Sequence, residues 1–236
     1  MNKSLPVFYK YMERRYARQL RAGRFLIGTL GDFRRKENYG DDIGDSGEGT
    51  KTIYSDDDMY ADRPESIPEF TKSFVKLTGR GSSMVNCQFS KKIYSQDMFL
   101  FCGSCELDLE IMDRLSPEYN CVLKILRPIE FINVLAQAIH NVSPLDLNNV
   151  YFGHCQYADR VIHYSQDTDV PPALIKDTKY AYQKELRFML TPETDSINPI
   201  EVTSVEASKY CKFVSAAELA DVTKRRLNSY RLNPGE

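Results

Sequence analysis

The chain has few histidines, no paired cysteine spacing of the metal-binding kind, and no long apolar run. Among its 236 residues are three histidines and six cysteines. Cys102-Gly-Ser-Cys105 is a C-x-x-C without a second C-x-x-C to complete it, so a structural zinc site of the usual spacing is not indicated. The motif also lacks the strand-to-helix setting of a redox dithiol, and reduced thiols are the simpler account. No stretch reaches the roughly 20 apolar residues of a membrane-spanning helix, and Met1-Asn-Lys-Ser-Leu-Pro6 carries no apolar run. The expectation is a soluble, cytoplasmic protein without a membrane partner. G-x-S-x-G, G-x-x-x-x-G-K-[ST] and G-x-G-x-x-G are all missing, which argues against serine hydrolases of that type and against the common ATP and dinucleotide folds. With 31 basic and 33 acidic residues there is no polycation, so nucleic-acid binding would need a local patch. Neither repeats nor low-complexity linkers break the chain. Residues 1–236 are read as one domain with a sizeable core.

Ser4 and Pro6 suit a helix start, and Phe8, Met12, Tyr16 and Leu20 then recur every fourth residue. Arg14, Arg15, Arg18 and Arg21 form a basic face on that element, which Gly23 ends. Arg24–Leu30 is expected to be a short buried strand in which Gly28 permits a close approach. A polar run follows, with Asp41, Asp42, Asp45, Glu48, Asp56, Asp57 and Asp58, but it lacks calcium-loop spacing. Acidic glycine-rich loops are usually solvated, and one this long is expected to be a mobile active-site or partner loop around residues 38–66.

Beyond it, a short helix is expected near Ile67–Lys76 and a strand over Ser83–Ser90. A second apolar run covers Asp97–Cys105, a helix Leu107–Leu115, a strand Cys121–Leu126 and a helix Pro128–His140. Val150–Tyr157 and Arg160–Tyr164 resemble a hairpin turning at Ala158-Asp159 that carries His154 and His163, a pair able to line a cleft although most histidines are not catalytic. A strand over Ile200–Val205 follows, and Ser215 with Glu218 forms a capping box; Arg225, Arg226 and Arg231 make a basic tail. The fold class is therefore α+β: many strands, with a few helices packed at the sheet.

Lys179–Leu190 carries the chemistry. Leu186–Leu190 alternates as a half-buried strand does, and Gln183 and Glu185 lie two apart, so extended backbone would set both on one face. A carboxylate beside an amide suits reaction at a sugar carbon, where the carboxylate holds a hydroxyl and stabilises developing positive charge. Chemistry of this kind at a sugar carbon needs a positioned carboxylate, guanidinium groups where the substrate carries phosphates, and aromatic surfaces; it needs no metal. Fifteen tyrosines, Tyr180 and Tyr182 among them, offer those surfaces.

Three segments, Arg24 with Gly28-Thr29, Phe89-Ser90 and Gln183-Lys-Glu185, resemble in order the arginine–serine–glutamate plan of the ADP-ribosyltransferase superfamily. Gly23-Arg-Phe-Leu-Ile-Gly-Thr-Leu30, Phe33-Arg-Arg-Lys-Glu37, Asp45-Ser-Gly-Glu-Gly49 and Lys179–Phe188 look most like bacterial ADP-ribosylating toxins of phage defence. One type of these modifies messenger RNA and is held off by an antitoxin and a chaperone. The resemblance implies a split mixed or antiparallel sheet and NAD as co-substrate, with an RNA or DNA acceptor. It also implies residue roles. Glu185 would hold the nicotinamide-ribose hydroxyl, Gln183 would orient the acceptor, and Ser90 would brace Glu185. Gly28 and Thr29 would sit against nicotinamide, with Tyr182 nearby. Ile27 stands where many relatives carry histidine or arginine, so the phosphate-contacting arginine is Arg24 or Arg34. Arg14, Arg18 and Arg35 would meet nucleic-acid phosphates.

Two other readings stay open on residues alone. One is a metal-dependent nuclease or phosphoesterase using the Asp41–Asp58 carboxylates. The other is a non-catalytic binding module whose acidic loop grips a basic partner.

Overall fold

The computed structural model describes residues 7–35, 44–79, 81–222 and 224. The chain divides into two compact units. The first gathers Met1–Ser46, Gln96–Cys155 and Lys179–Glu236; the second gathers Gly47–Ser95 and Gln156–Thr178. Both mix strands and helices, an α+β architecture with antiparallel and mixed sheets.

In the first unit the strands are β1 (Phe8–Met12), β2 (Arg24–Thr29), β7 (Phe99–Ser104), β8 (Cys121–Ile125), β9 (Leu145–His154), β13 (Glu185–Pro192), β14 (Ile200–Thr203) and β15 (Cys211–Phe213). All pair antiparallel in one sheet that forks at β7. On one edge β7 pairs with β13 along its length, from Phe99↔Leu190 to Ser104↔Glu185. The other edge is shared: β2 takes Phe99 and Leu100, and β1 takes Ser104. One arm runs on to β14 and the other to β8 and β15, while β9 lies outside β13.

Among the described residues the fork leaves the middle of that edge of β7 without a strand, and other groups occupy the gap. Met98 C=O on this edge accepts from Leu30 N–H at 2.9 Å, whereas Cys105 N–H on the opposite edge donates to Lys184 C=O at 3.0 Å. By alternation Cys102 C=O points into the fork, and Lys10 Nζ donates to it at 2.7 Å. One residue further along, β1 crosses directly over Gly103. A Cβ there would stand 2.4 Å from Tyr9 O and 2.6 Å from Phe8 Cζ. Gly103→Ala is accordingly expected to cost at least about 1–3 kcal/mol by overpacking, read as a lower urea midpoint. A neutral result would mean that β1 does not press on this strand.

The core face of the fork carries Phe8, Phe25, Phe101 and Phe188, which pack with Phe131 through tilted and edge-on ring contacts. Phe131 belongs to α5 (Pro128–His140), where Pro128 occupies the first turn and Phe131, Ile132, Leu135, Ala136 and Ile139 repeat at helical spacing and are buried. Ala17 and Leu20 of α1 (Arg14–Arg21) complete this core. Gly23 ends α1 at φ +87°, where glycine escapes the Cβ penalty. A smaller cluster of Tyr11, Ile111 and Val122 lies beneath α4 (Leu109–Leu115), whose N-cap Asp108 accepts from Glu110 N–H at 2.9 Å. Ser215 and Glu218 form the expected reciprocal cap. The Lys124 and Ser215 partners hold the Glu218 carboxyl down at about 2. Two short helices, α2 (Leu30–Phe33) and α6 (Val205–Ser208), are capped by Thr29 and Ser204.

In the second unit β3 (Thr50–Ser55) pairs antiparallel with β6 (Phe89–Tyr94) and parallel with β11 (Val161–His163). Short pairs β4 (Met59–Tyr60) with β5 (Ser83–Met84) and β10 (Gln156–Tyr157) with β12 (Ile175–Lys176) flank this sheet, beside the one-turn helix α3 (Glu69–Lys72). Lys51 is buried and bound to Asp167 at 2.8 Å and to Val170 C=O at 3.2 Å.

Four expectations are corrected. Phe8–Met12 is a strand, so the arginine-bearing helix begins at Arg14; Ser4 and Pro6 lie outside the described residues. Val150–Tyr164 is not a hairpin, because β11 pairs with β3 and β10 with β12. The run Ser83–Ser90 breaks at Asn86, φ +54°, and Ser90 stands second in β6 rather than at a strand end. The acidic stretch is not uniformly solvated. Asp45 and Glu48 are buried and engaged, and β3 occupies Thr50–Ser55, whereas Asp41 and Asp42 lie outside the described residues, as does the 225–231 basic tail.

Candidate active site

Glu185 opens β13 at a tight corner. Thr178–Gln183 form a 3-10 turn, and Lys184 takes φ +47°, a left-handed conformation uncommon for a side-chain-bearing residue. Gln183 and Glu185 are thus not two steps of one strand, as the spacing had implied; the chain turns between them. Two hydrogen bonds pin the corner to neighbouring strands. Cys105 N–H donates to Lys184 C=O at 3.0 Å, and Cys155 N–H to Glu185 C=O at 2.9 Å. The Cys105 thiol lies 3.2 Å from the same Lys184 oxygen. Gln183 and Glu185 are each only 6% exposed.

Arg187 Nε donates to Glu185 Oε1 at 2.8 Å, and Arg187 is just 2% exposed, so the two charges are buried as a pair. Register places Ser104 opposite Glu185 and Tyr9 opposite Ser104, one row across β13, β7 and β1. The Ser104 hydroxyl accepts from Glu106 N–H at 3.1 Å. From the fork, the Lys10 ammonium lies 4.5 Å over the Phe101 ring. Burial presses it below the usual lysine range, opposed by Cys102 and Glu185 nearby.

On the outer side of the corner, Gln183 Nε2 donates to Tyr182 Oη at 3.3 Å. The Arg114 guanidinium lies 3.7 Å from the Tyr182 ring centroid and 3.9 Å from Glu110, with about half of its side chain exposed. Tyr180, buried, donates to Gly44 C=O at 3.1 Å. The corner therefore brings a buried carboxylate, a buried carboxamide and a tyrosine together on one short segment, with the Arg114 guanidinium of α4 over the tyrosine ring.

Gly28 and Thr29 pair with Leu100 and Phe99, four and five positions along β7 from Ser104, or roughly 13–17 Å at strand rise. The Thr29 hydroxyl accepts from Asp32 N–H at 3.0 Å and caps α2, and Gly28 allows the Phe33 ring within 3.0 Å of where a Cβ would be. Arg24 is exposed at the start of β2, opposite Thr203. Arg34 is the C-cap of α2, and Arg35 pairs with Asp32 at 2.7 Å. Ser90 belongs to the second unit and sits opposite Tyr54; the serine that the sheet aligns with Glu185 is Ser104. Arg14 and Arg18 are exposed on α1 with Arg15 and Arg21. His154 is exposed on β9, and His163 Nε2 stands 3.5 and 3.7 Å from Asp56 and Asp57. Among the described residues no group of three or more His, Cys, Asp or Glu side chains is arranged to hold a metal ion.

Sequence reasoning passed over Lys10, Ser104 and Arg114. Lys10 was hidden inside an assumed helix; reading Phe8–Met12 with period two would have set it between Phe8 and Met12 on the core-facing side. No family model matches this chain, and neither do any curated proteins or solved structures.

Proposed function

We propose that this chain is an NAD-dependent ADP-ribosyltransferase with Glu185 as its catalytic carboxylate and a nucleic acid, messenger RNA in the first instance, as acceptor. In this reading it acts as a toxin in phage defence that blocks translation and is held inactive by an antitoxin and a chaperone. The observation that carries the reading is the Glu185 corner: a carboxylate sheltered from water, fixed by Arg187 and adjoined by Gln183 and Tyr182.

NAD brings a ribose carbon whose leaving group, nicotinamide, is already positively charged. In the overall reaction the bond from ribose C1′ to nicotinamide breaks, nicotinamide departs with its electron pair, and C1′ bonds the acceptor nucleophile, whose proton goes to solvent. The chain's part is to bind and to stabilise charge. Glu185 accepts a ribose hydroxyl and faces the growing positive charge in a site of low dielectric. Gln183 orients the acceptor, and Tyr182 offers a ring for stacking. Arg114, over the Tyr182 ring, adds a guanidinium for phosphate to the sequence candidates Arg24 and Arg34. The exposed arginines Arg14 and Arg18 on α1 provide a short basic face for the acceptor backbone.

The test is incubation of the full chain with NAD labelled in its adenylate portion and, in separate arms, total RNA, DNA and protein. Label transferred to RNA, with stoichiometric nicotinamide release unaffected by chelator, is the expected result. Absence of both transfer and release would overturn the reading. Chelator-sensitive cleavage of nucleic acid in its place would establish the nuclease alternative.

A further inference from the structure

A hydroxyl, an imidazole and two carboxylates meet within the second unit, where β11 ends. His163 closes that strand, and Tyr164–Gln166 follow directly as a 3-10 turn. The turn brings Ser165 back onto the imidazole ring. Ser165 Oγ stands 2.7 Å from His163 Nδ1, and Ser165 N–H reaches the same nitrogen at 3.4 Å. On the far side of the ring, Nε2 faces Asp56 Oδ1 at 3.5 Å and Asp57 Oδ2 at 3.7 Å. The buried Ser55 hydroxyl in turn donates to Asp57 Oδ2 at 3.0 Å.

These contacts select one tautomer. A backbone N–H can only donate and an ionised carboxylate can only accept, so Nδ1 carries the lone pair and Nε2 the proton. The Ser165 hydroxyl therefore donates to a basic nitrogen, and the aspartates stand where they stabilise the imidazolium that forms when it takes the proton. Hydroxyl, base and orienting carboxylate follow one another through space, and it is by such geometry, not by sequence position, that these sets are recognised on unrelated folds. The carboxylate separations exceed a hydrogen bond; catalytic contacts of this kind often tighten when substrate binds.

Both reacting groups can be reached. Ser165 is exposed, and the His163 side chain retains 21% of its exposure. A run of rings leads to them. Phe74, Phe70, Tyr164, His163 and Tyr54 touch in that order, with centroids 5.2, 6.1, 4.5 and 5.4 Å apart, and Phe74 is 46% exposed. Such a run suits a flat apolar group, while the two aspartates disfavour a negatively charged one.

We propose that Ser165 is the nucleophile of an acyl-transfer site, with His163 as its base and Asp56 and Asp57 behind the ring, acting on uncharged carboxylic esters that carry a flat apolar group. Ser165 Oγ bonds to the ester carbonyl carbon while its proton passes to His163 Nδ1. The ester C–O bond then breaks, and the alcohol leaves with that proton. Water attacks the acyl group, gives a proton to the same nitrogen and releases the acid; His163 returns the proton to Ser165 Oγ. The site shares no residue with the Glu185 corner and stands if the NAD reading fails.

The experiment treats the full chain with an alkyl fluorophosphonate, which serine hydroxyls attack at useful rates only when activated, and maps the modified peptide by mass spectrometry. Hydrolysis of p-nitrophenyl butyrate is followed in parallel. Modification of Ser165 is expected, with loss of hydrolysis in the modified chain. Ser165→Ala should abolish both. His163→Gln should slow hydrolysis by at least about 10²-fold, the usual worth of a general base, in a chain that still unfolds cooperatively. Asp56→Asn/Asp57→Asn should slow it by at least about tenfold. Should His163→Gln lose its fold, Ser165→Ala, which removes one exposed oxygen, decides alone. The proposal is overturned if the reagent leaves Ser165 unmodified or modifies the heat-denatured chain as fast. It is equally overturned if Ser165→Ala hydrolyses the ester at the wild-type rate, or if anionic p-nitrophenyl succinate turns over faster than the butyrate.

Discussion

Replacing Glu185 with glutamine is expected to slow nicotinamide release from NAD by about 10²–10³-fold, with little change in KM. Glutamine matches glutamate in size and keeps an oxygen to accept from Arg187, so the corner retains its shape while the negative charge disappears. A carboxylate that acts mainly on charge developing in the transition state contributes to kcat, not to ground-state binding. The steady-state rate of nicotinamide release, taken with a thermal unfolding curve, reads the prediction. Wild-type turnover in a folded Glu185→Gln protein would remove Glu185 from the chemistry.

Arg187→Met is expected to destabilise the chain by about 3–5 kcal/mol, because it strands Glu185 among buried neighbours without the guanidinium that faces it. The double variant Glu185→Met/Arg187→Met should regain most of that loss, since two apolar side chains of similar volume do not require charge compensation. Urea unfolding of the four proteins of this cycle measures the coupling directly. A loss below about 1 kcal/mol for the single variant would place the pair in the class of solvent-exposed ion pairs. The two experiments separate scaffold from reaction: one alters the proposed catalytic charge with the hydrogen bond kept, the other alters the support of that charge.

Much of the scaffold was legible in the sequence where local chemistry and burial agree. Pro128–His140 is a helix with the expected bounds because a first-turn proline and an apolar stripe of helical period point the same way. Cys121–Ile125 is a buried strand, Gly23 ends its helix, and Ser215 with Glu218 closes a capping box, each from a signal within a few residues. The first segment misled because a spacing of four fits both periods: two strand repeats and about one helical turn. Phe8 and Met12 therefore satisfy either structure, and only pairing with Cys121 and Ile125 decides.

The site was legible in part. Glu185 and Gln183 were singled out by residue type and spacing, but their geometry depends on Lys184 at φ +47°, which nothing about lysine announces. Ser90 was chosen because it ends the expected strand Ser83–Ser90, as the resemblance asks of a middle strand, whereas Ser104 is aligned with Glu185 by a register joining segments some 80 residues apart. Parallel pairing of Val161–His163 with Thr52–Tyr54 is equally non-local, so a turn-like Ala158-Asp159 suggested a hairpin that does not form. Asp45 and Glu48 were assigned to solvent by composition, and the fold buries them among polar contacts that composition cannot display.

The fork at β7 carries an evolutionary corollary. A lysine ammonium fills a rung that a neighbouring strand would otherwise supply, and Glu185 lies close enough to feel its charge. Positions 10, 185 and 187 should consequently drift together in descendants of this chain, with loss of the cation at 10 matched by a change at the carboxylate or by a strand that closes the gap. Independent drift at these three positions, in a set of diverged sequences sharing the fork, would show that the lysine is a local plug and nothing more.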